Sequence, residues 1–195
     1  MAIQTEEPLL HWNYFLALED DMSHMARFIE FTKNNFGTYS IELAHLLLTA
    51  SSEIDVVAKQ ICTLLNASEQ ASNINEYHKI ITKKFPQFYA ETVFVPHHSL
   101  TLTPWSNWEN KKSNPDWWKS YNMVKHERSS YFKDANLRNA LNSMAALLVI
   151  VFYYYKLKFN AIEPTAYEAR KTNRMLQPKS KLFRLHNAYY DSPLL

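Results

Sequence analysis

The chain has almost no glycine: Gly37 is the single copy in 195 residues. Glycine reaches positive φ without steric cost, so tight hairpins and phosphate-cradling loops depend on it. Its scarcity argues against Rossmann and P-loop nucleotide sites, which need several glycines at fixed spacing. Helices need glycine only at their ends, so the composition leans towards α. Cysteine is equally scarce. Cys62 is alone, so no intrachain disulfide can form and nothing points to an oxidising compartment. Long apolar runs are missing too. The longest, Met144 to Tyr155, has 12 residues, against about 20 for a membrane span. It reads as a buried helix, and no membrane association is expected. Residues 1–10 include Glu6, Glu7 and Pro8 and lack the basic and apolar regions of a secretory signal. A cytoplasmic location is the expectation.

What is present suits a globular chain of one domain: 47% of the residues are hydrophobic and 14% aromatic. The near-neutral net charge of +2 hides an asymmetry. Residues 1–110 carry 6 Lys/Arg against 13 Asp/Glu, and residues 111–195 carry 15 against 6. A basic half can mark an anion-binding surface, nucleic acid included. Mutual attraction of the two halves, within a chain or across a dimer, explains the asymmetry at least as well.

Apolar periodicity predicts an all-α bundle of about five helices. Phe15, Leu18, Met22, Met25, Ile29, Thr32 and Phe36 recur in steps of three and four. They predict a first helix from about His11 to Phe36, closed by Gly37 as C-cap. Ser40 is the expected N-cap of a second helix, with Glu42 in its first turn and a stripe of Leu43, Leu47, Ala50, Ile54, Val57, Ile61 and Leu64. The two should form an antiparallel hairpin. Asn73 and Glu76 resemble a capping box for a third helix over 74–84, ended by Pro86.

In the region 86–113, Thr92–Val95 and Leu100–Leu102 could be two short strands around Pro96-His97-His98. The favoured reading is an ordered loop anchored by Pro104, Trp105 and Trp108. Asn114, Pro115 and Asp116 announce a fourth helix reaching His126 or Ser129, with Asn114 as cap and Pro115 as first helical residue. A fifth runs from about Asp134 to Lys158. It is apolar all round from Ala145 to Tyr155, which implies burial in the bundle centre or at a dimer interface. The expected core is 11–158, with 159–195 a basic, less regular tail.

The fourth helix carries the candidate chemistry. On a helical wheel Trp117, Tyr121, Val124 and the stem of Arg128 share one side. Asn122, His126 and Lys119 take the opposite side, flanked by Trp118 and Lys125. The run Tyr121-Asn122-Met123-Val124-Lys125-His126 resembles the signature of the HEPN superfamily of helical proteins: Arg, a polar residue often Asn, a few variable positions, then His near a helix end. This chain has Tyr121 where that pattern has Arg.

The resemblance implies a single HEPN-like domain over 1–195, a homodimer, and action on RNA. Many members are metal-independent endoribonucleases of defence or toxin systems. It implies His126 as general acid or base in 2′-OH attack on the adjacent phosphate, with Asn122 orienting it. Lys125, Arg128, Lys119 and Trp118 are the candidate RNA- or phosphate-binding residues beside them. No cofactor is implied. The absent Arg fits equally well with a non-catalytic module that binds a protein or nucleic-acid partner. A helical bundle unrelated to HEPN is the third reading.

Other constellations read more plainly. Glu42-x-x-His45 has the spacing of a di-iron ligand pair, but no second copy accompanies it. His97-His98 reads as a surface turn, and no metal site is expected. Glu53 and Lys59 interrupt the second helix's apolar pattern; they are either exposed, the favoured reading, or polar groups lining a cleft beside the fourth helix. The aromatics read as core or interface packing, with Trp118 the one candidate for base stacking. Ser129-Ser130 lacks the setting of a hydrolase nucleophile.

Overall fold

The computed structural model describes residues 8–67, 71–110, 113–162 and 168–189. Six α-helices dominate them: α1 (Leu10–Met25), α2 (Ile41–Leu65), α3 (Ile74–Lys84), α4 (Asp116–Tyr131), α5 (Leu137–Ile162) and α6 (Glu168–Met175). A hairpin of β1 (Val93–Val95) and β2 (Leu100–Leu102) lies between α3 and α4. The mainly helical fold class stands. The segment 86–113 contains the two short strands as well as the anchored loop.

Helix starts follow their caps. Ser40 Oγ accepts the Leu43 amide at 3.1 Å. Asn73 Oδ1 accepts the amides of Asn75 and Glu76 at 3.1 and 3.2 Å. Glu76 reaches back to the Ser72 amide at 2.7 Å, one residue beyond the usual box partner. In α4 the expected frame shifts by one: Pro115 is the cap residue, with extended ψ, and Asp116 opens the helix. In α5, Asn136 Oδ1 accepts the Asn139 amide at 3.0 Å, so the helix begins three residues later than Asp134.

The first helix is shorter than its apolar stripe implies. It stops at Met25, and Gly37 lies in a turn with negative φ rather than closing a helix. Two tertiary demands override the periodicity. Phe31, off the stripe, is fully buried with its ring 4.8 Å from that of His98. The carbonyls of Thr38 and Phe36 also accept the Leu137 and Arg138 amides at 2.9 and 3.2 Å. The segment therefore leaves the helix to satisfy donors at the start of α5, which a helix cannot satisfy itself.

The core sits around α2 and α5, whose mutual packing is the most extensive in the fold. Every residue from Met144 to Tyr155 is buried within one chain, so α5 takes the bundle centre. As a helix it is long and apolar enough to cross a membrane, but here its apolar stretch is mostly covered by its neighbours. α1 runs antiparallel to α2: His11 meets Glu53 and Gln60, while Met25 lines a cavity with Glu42 and Leu46. α2 and α5 run the same way. The segment before α2 meets the start of α5, and Leu64 and Leu65 share a cavity with Leu157 and Asn160. α1 has no side-chain cap. Instead the Trp12 and His11 backbone amides lie towards the Tyr155 phenol on α5. Burial pushes this phenol up, and those amides offset part of the rise.

An aromatic chain fills the space between the hairpin and the helices. His78 stacks on Trp108 at 4.9 Å, Trp108 contacts Trp105 at 4.4 Å, and Trp105 meets Phe88 and Trp117 edge-on or tilted at 5.2 Å. Trp117 and Trp118 extend the chain to Tyr121. The hairpin turns without glycine, using Ser99 at φ 51°.

The segment after α5 is more than a tail. Leu176, Leu182, Phe183 and Leu185 are buried, and Phe94 and Arg184 exchange backbone hydrogen bonds of 2.7 and 2.9 Å. The Glu19 carboxylate, 3% exposed, accepts the Lys181, Leu182 and Phe183 amides at 3.1, 3.0 and 3.2 Å, and the Ser180 hydroxyl as well.

Glu91 receives the hydroxyls of Tyr153 and Tyr189 together, tying α5 to the last turn. Burial first, and the Glu91 charge second, push both phenols well up. Burial and the Asp55 bond do the same for Tyr77. The sign is fixed by linkage. A phenol whose folded pKa is raised gives its full stability below the unfolded value near 10, and loses it as pH rises further. Stability should hold to about pH 9 and then fall steeply. Absorbance at 295 nm and helical ellipticity should change together. Titration of these tyrosines near pH 10 with the helices intact would contradict the packing described.

Candidate functional site

The tract on α4 divides as the wheel implies, with two exceptions. Trp117, Tyr121 and Val124 are buried, while Lys119, Lys125 and His126 are exposed. Trp118 is the first exception. It is 8% exposed with its ring 5.2 Å from Tyr121, so it is packed and not presented for base stacking. Arg128 is the second. Glu127 leaves helical geometry (φ −138°, ψ 54°), so the straight part of α4 ends at His126, and Arg128 lies exposed beyond the kink.

Asn122 and His126 share a face, but the structure does not join them. The Asn122 amide donates to the Trp118 carbonyl one turn back at 2.9 Å. Lys125 turns to Tyr121, its ammonium 3.3 Å from the hydroxyl and 5.3 Å from the ring centre. Lys119 pairs with Asp116 at 3.3 Å. His126 has no hydrogen-bond partner among the described residues. No residue of the tract lines the cavity between α1 and α2, the one at the ends of α2, α3 and α5, or the one beside the start of α1.

The chain matches no protein-family model, no curated protein and no solved structure. Its chemistry has to be read from its own surface.

A basic cleft of about 730 Å³ opens where α2, α3 and α5 end. Among the described residues its charged lining is Lys79, Lys83, Lys84 and Lys156. Lys79 and Lys83 stand one turn apart on α3. Lys156 lies over the Phe85 and Tyr153 rings at 5.7 and 5.5 Å. Part of this charge complements the helices, because each C-terminal end carries roughly half a negative charge. Leu64, at the end of the α2 stripe, is half exposed because it forms this cleft's wall. The sequence reading missed the site, since three of its lysines belong to the half that is acidic overall. The available signal was the run Lys79-Ile80-Ile81-Thr82-Lys83-Lys84.

A second cleft, of about 670 Å³, is mostly apolar and lies between the N-terminal end of α1 and the C-terminal parts of α5 and α6. His11 lies at its base. Its Nδ1 is 2.5 Å from a Glu53 oxygen and its Nε2 is 3.0 Å from Gln60 Oε1. Glu53 is therefore half-buried and paired, contrary to the exposed reading, whereas Lys59 is exposed and pairs with Asp55. Burial, then the Glu53 charge, pushes the Tyr14 phenol up.

Glu42 and His45 form an exposed pair at 3.8 Å. Among the described residues no three His, Cys, Asp or Glu side chains come close enough to hold a metal ion.

Proposed function

We propose that this chain is a non-catalytic helical module that binds single-stranded RNA through the cleft formed by α2, α3 and α5. The observation that carries this reading is that the described residues bring four lysines, Lys79, Lys83, Lys84 and Lys156, to one concavity. Phosphate neutralisation by such groups supplies most sequence-independent affinity. The HEPN resemblance supplies the target class, RNA.

The nuclease reading needs more than one chain offers at the motif. Asn122 is committed to its own helix, and among the described residues no cation pairs with His126. A homodimer that apposes two α4 faces would supply the missing groups, and this is the form in which catalysis deserves a test.

Fluorescence anisotropy with an end-labelled 12-nucleotide RNA tests the proposal. Four contacts predict that log affinity falls with log salt at a slope of about −3, from about 0.7 per phosphate on a single strand. Lys83→Gln with Lys84→Gln should halve that slope and weaken binding at least about tenfold in low salt. His126→Ala should bind like the wild type, and the RNA should remain intact. An unchanged slope in the double variant removes the cleft from the reading. RNA cleavage abolished by His126→Ala replaces it with the nuclease.

A further inference from the structure

The cavity between the end of α1 and the start of α2 lies at the opposite end of α2 from the lysine cleft and does not depend on it. It measures about 300 Å³, and all of its lining falls within the unbroken described stretch 8–67. Leu18 and Leu46, 9% and 4% exposed, give it an apolar floor together with Met25. Phe28 stands on its rim, 81% exposed, the most exposed large apolar side chain among the described residues. Among the described residues the charged lining is Asp21 from α1 and Glu42 from α2, with His24 and His45 beside them. Asp21 forms no ion pair or side-chain hydrogen bond among the described residues, and the Glu42 carboxylate meets only His45, at 3.8 Å. Arg27, the nearest Lys or Arg to Asp21 along the chain, stands outside the lining.

We propose that this groove seats an arginine side chain from an extended segment of a partner protein, its guanidinium held between Asp21 and Glu42 and covered by the Phe28 ring. The two walls each bring a negative charge, so the complementary head is a cation. Asp21 stands near the C-terminal end of α1, where the helix dipole adds to its charge, whereas the first turn of α2 offsets that of Glu42. Among the described residues no three His, Asp or Glu side chains come close enough for a metal ion, which favours an extended cation over a point charge. A guanidinium is planar, carries its donors in a fixed fork and stacks on aromatic rings. Its methylene stem covers apolar surface such as the Leu18 and Leu46 floor. A groove of about 300 Å³ stands at the lower edge of small-molecule sites and suits one long side chain. Phe28, and Ile41 next to Glu42 with 63% exposure, give the rest of the segment apolar surface to cover.

The blocked peptide acetyl-Ala-Leu-Arg-Leu-Ala-amide, titrated into the isotope-labelled full chain at about pH 8, where ordinary histidines are neutral, tests the proposal by amide chemical shifts. Saturable one-to-one binding with a Kd of about 1 mM or tighter is expected, with the shifts centred on Asp21, Phe28 and Glu42. The same peptide with citrulline for arginine keeps the shape and loses the charge, and should bind at least about tenfold more weakly. Asp21→Asn and Glu42→Gln should each weaken binding of the arginine peptide about fivefold, and Phe28→Ala about threefold. All three side chains are exposed, and circular dichroism checks that each variant is folded. The lysine peptide should bind about threefold more weakly. Free arginine should also bind more weakly than the blocked peptide, because the walls repel its carboxylate. Equal affinity for the citrulline peptide, unchanged affinity in all three variants, shifts centred outside α1 and α2, or no saturable binding overturns the proposal. A lysine peptide of equal affinity removes the arginine assignment. Tighter binding of free arginine, or a dimer of the chain that Asp21→Asn dissociates, replaces the partner segment with a small molecule or a second copy. None of these failures touches the Lys83 and Lys84 results.

Discussion

Replacing Glu19 by alanine should destabilise the protein by about 4 kcal/mol, close to the upper range for a single substitution. The side chain is 3% exposed, and it is the common acceptor for the Lys181, Leu182 and Phe183 amides and the Ser180 hydroxyl. Hydrogen bonds to a charged acceptor contribute about 1.5–3 kcal/mol each when counted singly. They are not additive here, because water can reach part of a collapsed site. Stranding the buried Leu182 amide, while the Lys181 amide loses its acceptor and the Phe183 amide keeps only Ser180 Oγ, still costs several kcal/mol. Glu19→Gln keeps an acceptor oxygen but loses the charge, and should cost about half as much. Urea unfolding followed at 222 nm measures both. A loss under about 1 kcal/mol for the alanine variant would mean that residues 180–183 do not depend on the carboxylate.

Trp105→Ala should cost about as much, through a different physical route. Trp105 is fully buried and touches Phe88, Trp108 and Trp117, and its indole N–H donates to the Ala146 carbonyl at 3.3 Å. Alanine would leave a cavity between the hairpin region and α5 that these rings cannot collapse to fill. Truncations of this size cost about 3–5 kcal/mol. In a chain of this length each kcal/mol lowers the melting temperature by about 2–4 °C. A drop of about 10 °C is therefore expected. Trp105→Phe should recover about half of it. Trp118→Ala should cost less, because Trp118 lies towards the edge of the same aromatic chain and retains some exposure. Equal costs for Trp105→Ala and Trp118→Ala would show that position in the chain does not set the energy.

Helix entry points were legible where a side chain signals them locally. Ser40, Asn73 with Glu76, and Pro115 each mark a start within one residue of its place. The α5 seam was legible because its apolar residues meet other helices along their whole length. The end of α1 was not. Its stripe continues past Met25, and what interrupts it is a demand from residues more than 60 positions away, at His98 and Leu137. The Glu19 contacts lie still further off, and a glutamate on an amphipathic helix gives no sign of them.

The candidate site shows the same division. The wheel correctly separated Tyr121 and Val124 from Asn122 and His126, because α4 is regular up to His126. It failed for Arg128, where Glu127 breaks the helical frame. It could not show that the Asn122 amide would be spent on Trp118. The lysine cleft was invisible for a simpler reason: Lys156 stands 72 positions from Lys84, and only the parallel course of α2 and α5 brings those helix ends together.

That parallel course has a kinetic side. Two neighbouring helices that run the same way cannot be joined by a short loop, so residues 66–136 must carry the chain back to the starting end. The largest contact in the fold is thus one of high sequence separation, and such contacts close slowly because the loop entropy is lost before the contact energy is gained. During synthesis α2 emerges first, and its apolar face waits uncovered while α3, the hairpin and α4 are made. The helix richest in apolar residues arrives after the surface it needs, so α5 spends the least time exposed. In a newly made chain the vulnerable surface is the groove of α2, and a chaperone that recognises apolar segments would meet it before it ever met α5.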